Sequence, residues 1–223
     1  MERPAPPAGL PRAIDREALA ALPVRRYDGD VVLVRTQDDF YRAWEALARE
    51  RTVGWDTETR PAFRPGESYL PSLVQCATAD AVYLFQLASM DFSPVVGGLF
   101  AEPTIVKPGI SVADDLAKLK QVFHFEERSV LDLGTVARRR GMDQTGLRNL
   151  AAIFLGIRIP KGTKTTNWAA PRLTAEQIAY AATDAWGCRE LYLKFDALGM
   201  FAPAADAAPD QATTSSGASP SRT

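Results

Sequence analysis

Three short stretches of this sequence carry carboxylates at spacings that could do chemistry. In the run Gly54, Trp55, Asp56, Thr57, Glu58 the two acids stand two residues apart. On an extended strand residues at that spacing share a face, so Asp56 and Glu58 would project side by side. Carboxylates held so closely repel unless a cation sits between them, and hard divalent ions such as Mg²⁺ take oxygen donors of this kind. Taken alone, the pair is more simply a solvated turn after a buried strand. The second stretch, Tyr180 to Asp184, sets a phenol and a carboxylate four residues apart, one turn above the other if the segment is helical. Its small neighbours Ala179, Ala181, Ala182 and Ala185 would let such a helix approach a sheet closely. Alone, it reads as a core tyrosine and a surface aspartate. The third stretch runs from Lys107 through Gly109 to Asp114 and Asp115. Gly109 permits a tight passage from strand to helix, and both aspartates fall early in the next helix, where the macrodipole favours negative charge. Either could be a simple N-terminal helix acid; Asp115, by its spacing from Leu116 and Leu119, is the better candidate for function.

Such residues need elements to position them. Asp30 to Val34 reads as a first strand, and Thr36 as the cap of a helix through Glu50 with Phe40, Trp44 and Leu47 on one face. Arg51 to Asp56 reads as a strand ending at Asp56. Ser72 to Ala79 and Ala81 to Leu87 are β-rich runs joined across Asp80, which predicts a hairpin. Thr104 to Lys107 reads as another strand, followed by a helix from about Val112 to Val122. Beyond Asp132, read as a helix cap, the chain turns mostly helical. Thr174 and Gln177 form a capping box that opens a long helix through Leu198, in which Trp186 reads as core. Strands first, then helices, with a strand–helix unit between them, describe a layered α/β or α+β domain.

In order, separation and content the three stretches resemble the tyrosine subgroup of the DEDD superfamily of 3′→5′ exonucleases. Within it they look most like the Werner-type exonuclease domains, with ribonuclease D more distant. Val53 to Arg64 resembles the first motif, and Pro71 to Ala79 with Tyr83 to Leu87 resembles the hairpin that continues it. Gly109 to Leu119 resembles the second motif and places its aspartate on Asp115. Leu173 to Trp186 resembles the third, and Leu155-Gly156 with Lys161 to Trp168 resembles the approach to it. The likeness runs from about Val32 to Leu198. The sister subgroup has histidine five residues before the last aspartate; that position here is Ala179, and the single histidine, His124, lies away from every motif and reads as structural.

The resemblance implies a ribonuclease-H-like α/β fold, a mixed central β-sheet flanked by helices, with the carboxylates meeting where strand ends and the last helix converge. It implies a metal-dependent 3′→5′ exonuclease that hydrolyses phosphodiester bonds and releases nucleoside 5′-monophosphates, DNA favoured, with trimming of RNA or short oligoribonucleotides as the alternative. A non-catalytic nucleic-acid-binding domain is the alternative of another class. Two divalent cations, Mg²⁺ or Mn²⁺, are implied, held by Asp56, Glu58, Asp115 and Asp184, with Tyr180 orienting the attacking water. Thr57 resembles a position that meets the terminal nucleotide, and Leu73 and the Trp168 segment would shape the groove. Lys161 and Lys164, in a Gly/Thr-rich loop before the third motif, are placed to follow phosphates, as is Arg148, whereas Arg138 to Arg140 reads as a solvated charged face.

Composition sets the outer limits. The chain of 223 residues, 46% hydrophobic and 24% charged, has the balance of one soluble domain with ragged ends. No apolar stretch approaches the ~18–20 residues of a membrane span. The opening MERPAPPAGLPRAIDRE lacks the layout of a signal peptide, and two cysteines, Cys76 and Cys188, are too few for a disulfide scaffold or a Cys-rich zinc site, so a cytoplasmic setting is expected. A formal charge of −1 means that DNA or RNA 3′ ends, the expected partners, must be met by a local basic patch or by metal ions. No membrane and no obligate protein partner is expected. The predicted organisation is an N-terminal extension, partly disordered, over 1–26, the exonuclease domain over 27–200, and a disordered tail over 201–223, of which 202–223 hold no large apolar residue.

Overall fold

The computed structural model describes residues 6–7, 9–62, 64, 66–162 and 166–202. Lys164, and all but the first two residues of the expected tail, lie outside the described residues. The elements in order are α1 (Arg16–Ala21), β1 (Asp30–Val34), α2 (Gln37–Ala48), β2 (Gly54–Glu58), β3 (Leu73–Ala77), β4 (Ala81–Gln86), α3 (Gly98–Ala101), β5 (Lys107–Gly109), α4 (Ala113–Val122), β6 (Val130–Asp132), α5 (Leu133–Arg139), α6 (Leu147–Leu150) and α7 (Ala175–Ala197). Wide π-type turns, Ser93–Gly97 and Ala151–Leu155, lead into α3 and continue α6.

Four strands form a mixed sheet in the order β1-β4-β3-β2, with β1 parallel to β4 and the other neighbours antiparallel. β5 and β6 pair in parallel. A parallel bridge between Thr52 and Val106, with the Val53 amide donating to the Val106 carbonyl at 2.9 Å, carries that pair onto the β2 edge. The expected hairpin is present, running from Leu73 opposite Gln86 to Ala77 opposite Val82. Strands β2 and β5 differ in their bounds from the sequence reading. β2 starts later and runs past Asp56, because its pairing with β3 continues to Glu58 opposite Leu73. β5 begins only at Lys107, since the Glu102 carboxylate accepts from both the amide and the hydroxyl of Thr104 and holds that residue in a turn.

Both sheet faces are covered, which is why β3 and β4 are buried at every position instead of alternating. On one face Val74, Cys76 and Phe85 pack with Ala43 and Leu47 of α2 and with Phe92, Val95 and Phe100. On the other, Leu73, Ala77, Val82 and Leu84 pack with Ala181, Ala182 and Ala185 of α7. A third cluster joins Leu133, Ala137, Leu150 and Phe154 to Leu191 and Phe195 in the C-terminal half of α7. All three predicted caps are made. The Thr36 hydroxyl accepts from the Asp39 amide, and Thr174 and Gln177 satisfy each other's backbone amides. Asp132 accepts from the Gly134 amide at 2.9 Å, as its reading as a cap requires.

The chain before β1 is docked on the same body. Leu10 and Ile14 pack against the third cluster, the Asp143 amide donates to the Arg12 carbonyl at 2.9 Å, and Val24 forms a parallel bridge with Arg158. At the other end Arg140 donates to the Met200 carbonyl at 2.9 Å and closes the turn after α7, while Arg138, Arg139 and His124 are exposed.

Helix α7 lies directly against the backbone of β2. A Cβ added to Gly54 would lie 2.2 Å from the Ala185 carbonyl oxygen and 2.6 Å from the Arg189 amide nitrogen. Both are backbone atoms, so the helix itself would have to move. Gly54→Ala is therefore expected to cost at least about 2 kcal/mol, read as a lowered midpoint in urea unfolding. A midpoint within error of the native chain would show that α7 is not seated on β2 as described.

Candidate active site

Strand β2 and helix α7 deliver the chemistry. Asp56 and Glu58 leave β2 on the face that α7 covers, and Asp184 comes from the helix. Carboxylate oxygens of Asp56, Glu58 and Asp184 all lie within 4.8 Å of one another. Asp184 is nearly buried, at 6% exposure, and the other two are half-buried. Asp115, at the start of α4, stands beside this group without joining it. Its Oδ1 accepts from the Thr57 hydroxyl at 2.5 Å, and its charge reaches both Asp56 and Glu58. Asp114 is exposed.

Crowding like charges out of water has the expected effect. Burial first, then the charges of Asp184 and Asp115, push the Glu58 carboxyl up to about 8. Burial, then Asp184, Glu58 and Asp115, raise Asp56 well above the usual range, although the Thr57 amide donates to its Oδ1 at 2.9 Å. Burial raises Asp184 too, against the pull of the Tyr180 hydroxyl and the Arg148 guanidinium. The Tyr180 phenol is pushed far above its ordinary value by burial and then by Asp184 and Glu58, so it stays protonated at neutral pH. A set of oxygen donors that repel one another and hold surplus protons is the donor chemistry of a hard divalent cation. The group fits one on that ground.

The remaining predicted residues separate by position. Lys161 is exposed on the wall of a cavity of about 890 Å³ that Glu58 and Tyr180 also border. Trp168 lines the same cavity while packing in the core at 7% exposure, its ring centroid 6.1 Å from that of Tyr180. Leu73 is corrected: it was expected in the groove, but it is wholly buried between sheet and α7, so its part is packing. The Thr57 side chain is likewise buried and committed to Asp115. Trp186, expected as core, is half-buried and packs near Tyr27, ring centroids 6.2 Å apart.

Two residues escaped the sequence reading. Gln75 pairs with Asp56 across the strands, is fully buried, and its amide nitrogen and oxygen find no hydrogen-bond partner among the described residues. A lone polar residue inside the apolar run from Leu73 to Ala77 was the available signal. Gly162 backs the Tyr180 ring so closely that an added Cβ would lie 2.4 Å from a ring carbon. Nothing in its local sequence announces that contact.

A mixed sheet with two carboxylates on β2, a third on the helix laid across it, and a neutral phenol bordering a cavity make up a domain of the ribonuclease-H-like kind, with an acidic cluster that fits a divalent cation. The 3′-5′ exonuclease family profile matches residues 31–198, and the chain belongs to that family. It is 33% identical over 168 residues to the ribonuclease D of Gluconacetobacter diazotrophicus, an alignment covering 73% of this chain and 42% of that one. It is 31% identical over 153 residues to the bifunctional 3′-5′ exonuclease/ATP-dependent helicase WRN of Mus musculus, covering 66% of this chain and 11% of that one. The EXO domain of Aedes aegypti Nibbler superposes with a TM-score of 0.69 at 24% identity, over 78% of this chain and 92% of that domain, a likeness of fold. The chain thus spans less than half the length of these curated relatives. Among the described residues no helix is long and apolar enough to cross a membrane.

The raised carboxyls make the metal-free protein sensitive to pH. Between 4.5, the ordinary value for glutamate, and about 8 for Glu58, the folded chain keeps protons that the unfolded chain has released. Stability therefore falls as pH rises through that window. Thermal melts in EDTA are expected to show Tm declining from pH 5 to pH 8, and Mn²⁺ added at pH 8 to raise it. No metal effect at pH 8 would speak against a cation at this site.

Proposed function

We propose that this chain is a metal-dependent 3′→5′ exonuclease that hydrolyses the terminal phosphodiester bond of a nucleic acid strand and releases nucleoside 5′-monophosphates. The observation that carries the reading is the convergence of Asp56, Glu58 and Asp184, with oxygens within 4.8 Å, at a cavity bordered by Tyr180. Asp56, Glu58 and Asp184, with Asp115 beside them, would hold two divalent cations, Mg²⁺ or Mn²⁺. Bound there, the ions would supply Lewis acidity, lowering the pKa of a water and offsetting charge on the leaving oxygen.

The chain's own groups do the rest. Tyr180, protonated and backed by Gly162, positions the attacking water by a hydrogen bond; with its pKa raised it is a poor base. Arg148, anchored by its Nε to the Ile159 carbonyl at 2.9 Å, favours the ionised form of Asp184. Thr57 fixes the rotamer of Asp115. Lys161 offers a cation to the substrate phosphates from the cavity wall. DNA is the first substrate, on the Werner-type likeness; RNA is the second, which the 33% identity to a ribonuclease D favours.

The test is a gel time course on 5′-labelled single-stranded DNA, recessed-end duplex DNA and matched RNA, with Mg²⁺, Mn²⁺ or EDTA. Metal-dependent ladders shortening from the 3′ end are expected, with the faster polymer naming the substrate. Asp184→Ala is expected to lower the rate by about 10³-fold or more, and Tyr180→Phe by about 10²-fold. An Asp184→Ala chain as active as the native one would sink the reading.

A further inference from the structure

The cavity beside the carboxylates carries more positive charge than the family's three motifs supply. Besides Lys161 it is lined by Arg172, ahead of α7, and by Arg26, which precedes residues 31–198 of the family match. The backbone that carries Arg26 is anchored. The Arg25 amide donates to the Arg158 carbonyl at 3.1 Å and the Tyr27 amide to the Thr183 hydroxyl at 3.0 Å, so the backbone on either side of Arg26 is fixed. The second of those anchors is the residue before Asp184, and the Thr183 hydroxyl in turn donates to the Ala179 carbonyl. Arg26 and Arg172 are both exposed, and neither has an ion-pair partner among the described residues. The acidic residues on the lining are Glu58, of the cation site, and Glu176.

We propose that Arg26, with Arg172 and Lys161, forms a phosphate-binding wall that holds the backbone of a single nucleic acid strand next to the linkage being cut, and that the segment before the family domain is thereby a substrate-binding element. At about 890 Å³ the cavity lies near the upper end of the ~300–1,000 Å³ range of single-ligand pockets, ample for more than one nucleotide unit of a strand. A chain with a net charge of −1 gains little from its overall field, so fixed cations at the site must supply the attraction. The identity of the strand as a substrate rests on the exonuclease reading.

The experiment is fluorescence anisotropy of 5′-fluorescein-labelled dT₈ and rU₈ with the full chain in EDTA, between 50 and 200 mM KCl, for the native protein and for Arg26→Ala, Arg172→Ala, Arg26→Lys and Arg25→Ala. Arg26→Ala and Arg172→Ala are each expected to weaken binding about 3- to 10-fold. Each is also expected to flatten the slope of log affinity against log salt by about 0.7, one single-strand phosphate contact. Arg26→Lys should recover the slope. Arg25, exposed on the same segment but off the cavity, is the control, and Arg25→Ala should bind as the native chain does. The proposal is overturned if Arg26→Ala and Arg172→Ala bind as the native chain does, if Arg25→Ala is equally weakened, or if the native chain binds neither oligonucleotide. Arg26-dependent binding by a chain that degrades nothing would leave this wall standing and remove the exonuclease reading; degradation indifferent to Arg26 would do the reverse.

Discussion

The backbone of α7 touches the backbone of β2 with no side chain between them, and the site exists because of that contact. Only glycine at position 54 leaves room for the Ala185 carbonyl and the Arg189 amide. The alanines along the same face extend the approach over β3 and β4. Asp184 precedes Ala185 and Asp56 follows Gly54 by two residues, so the distance between the carboxylates is set by a steric minimum between main chains. A hinge or a long side chain at this crossing would leave it adjustable. Fixed main-chain geometry keeps donors in place that would otherwise drift apart under their own repulsion.

That repulsion is the other half of the design. Asp56, Glu58 and Asp184 each hold protons more tightly than they would in water, mainly because they are buried, and the charge of Asp184 adds to the shift of both Asp56 and Glu58. The surrounding residues moderate this only in part, through the Thr57 amide on Asp56 and the Arg148 charge near Asp184. The fold thus keeps a local electrostatic strain that the hydrophobic clusters on both sides of the sheet must offset and that a divalent cation would relieve. The same cation would reverse the sign of the site toward a polyanion, which a nearly neutral chain needs.

Much of this was legible in the sequence because it rests on short-range rules. Thr36 and Thr174 are caps by their own chemistry, the hairpin follows from two β-rich runs around Asp80, and the two-residue and four-residue spacings place Asp56 with Glu58 and Tyr180 with Asp184. What escaped depends on contacts between distant segments. Leu73 follows Asp56 by seventeen positions yet pairs opposite Glu58, and only the α7 packing shows that it faces the core instead of a groove. Gln75 gains its meaning from register with Asp56, and Gly162 from the ring that rests against it. The ends of β2 and β5 are not legible in local propensity, because pairing partners and the Glu102–Thr104 turn fix them.

The N-terminal segment shows why a boundary drawn by sequence likeness need not be a boundary of the working unit. Residues 23–27 add a bridge to Arg158, and Tyr27 bonds the side chain of Thr183, inside the third motif. Those bonds join the strap to the loop that carries Lys161 and to the helix that carries Tyr180 and Asp184. Displacing the strap would cost the Thr183 hydroxyl its amide donor and would expose the edge of the cavity wall. A segment with such anchors is coupled to the site through three hydrogen bonds, two with Arg158 and one with the Thr183 side chain, a shorter path than the one that joins β1 to it through β4 and β3. The backbone that carries Arg26 is therefore held against the loop and the helix that build the site, and the side chain extends from a fixed point.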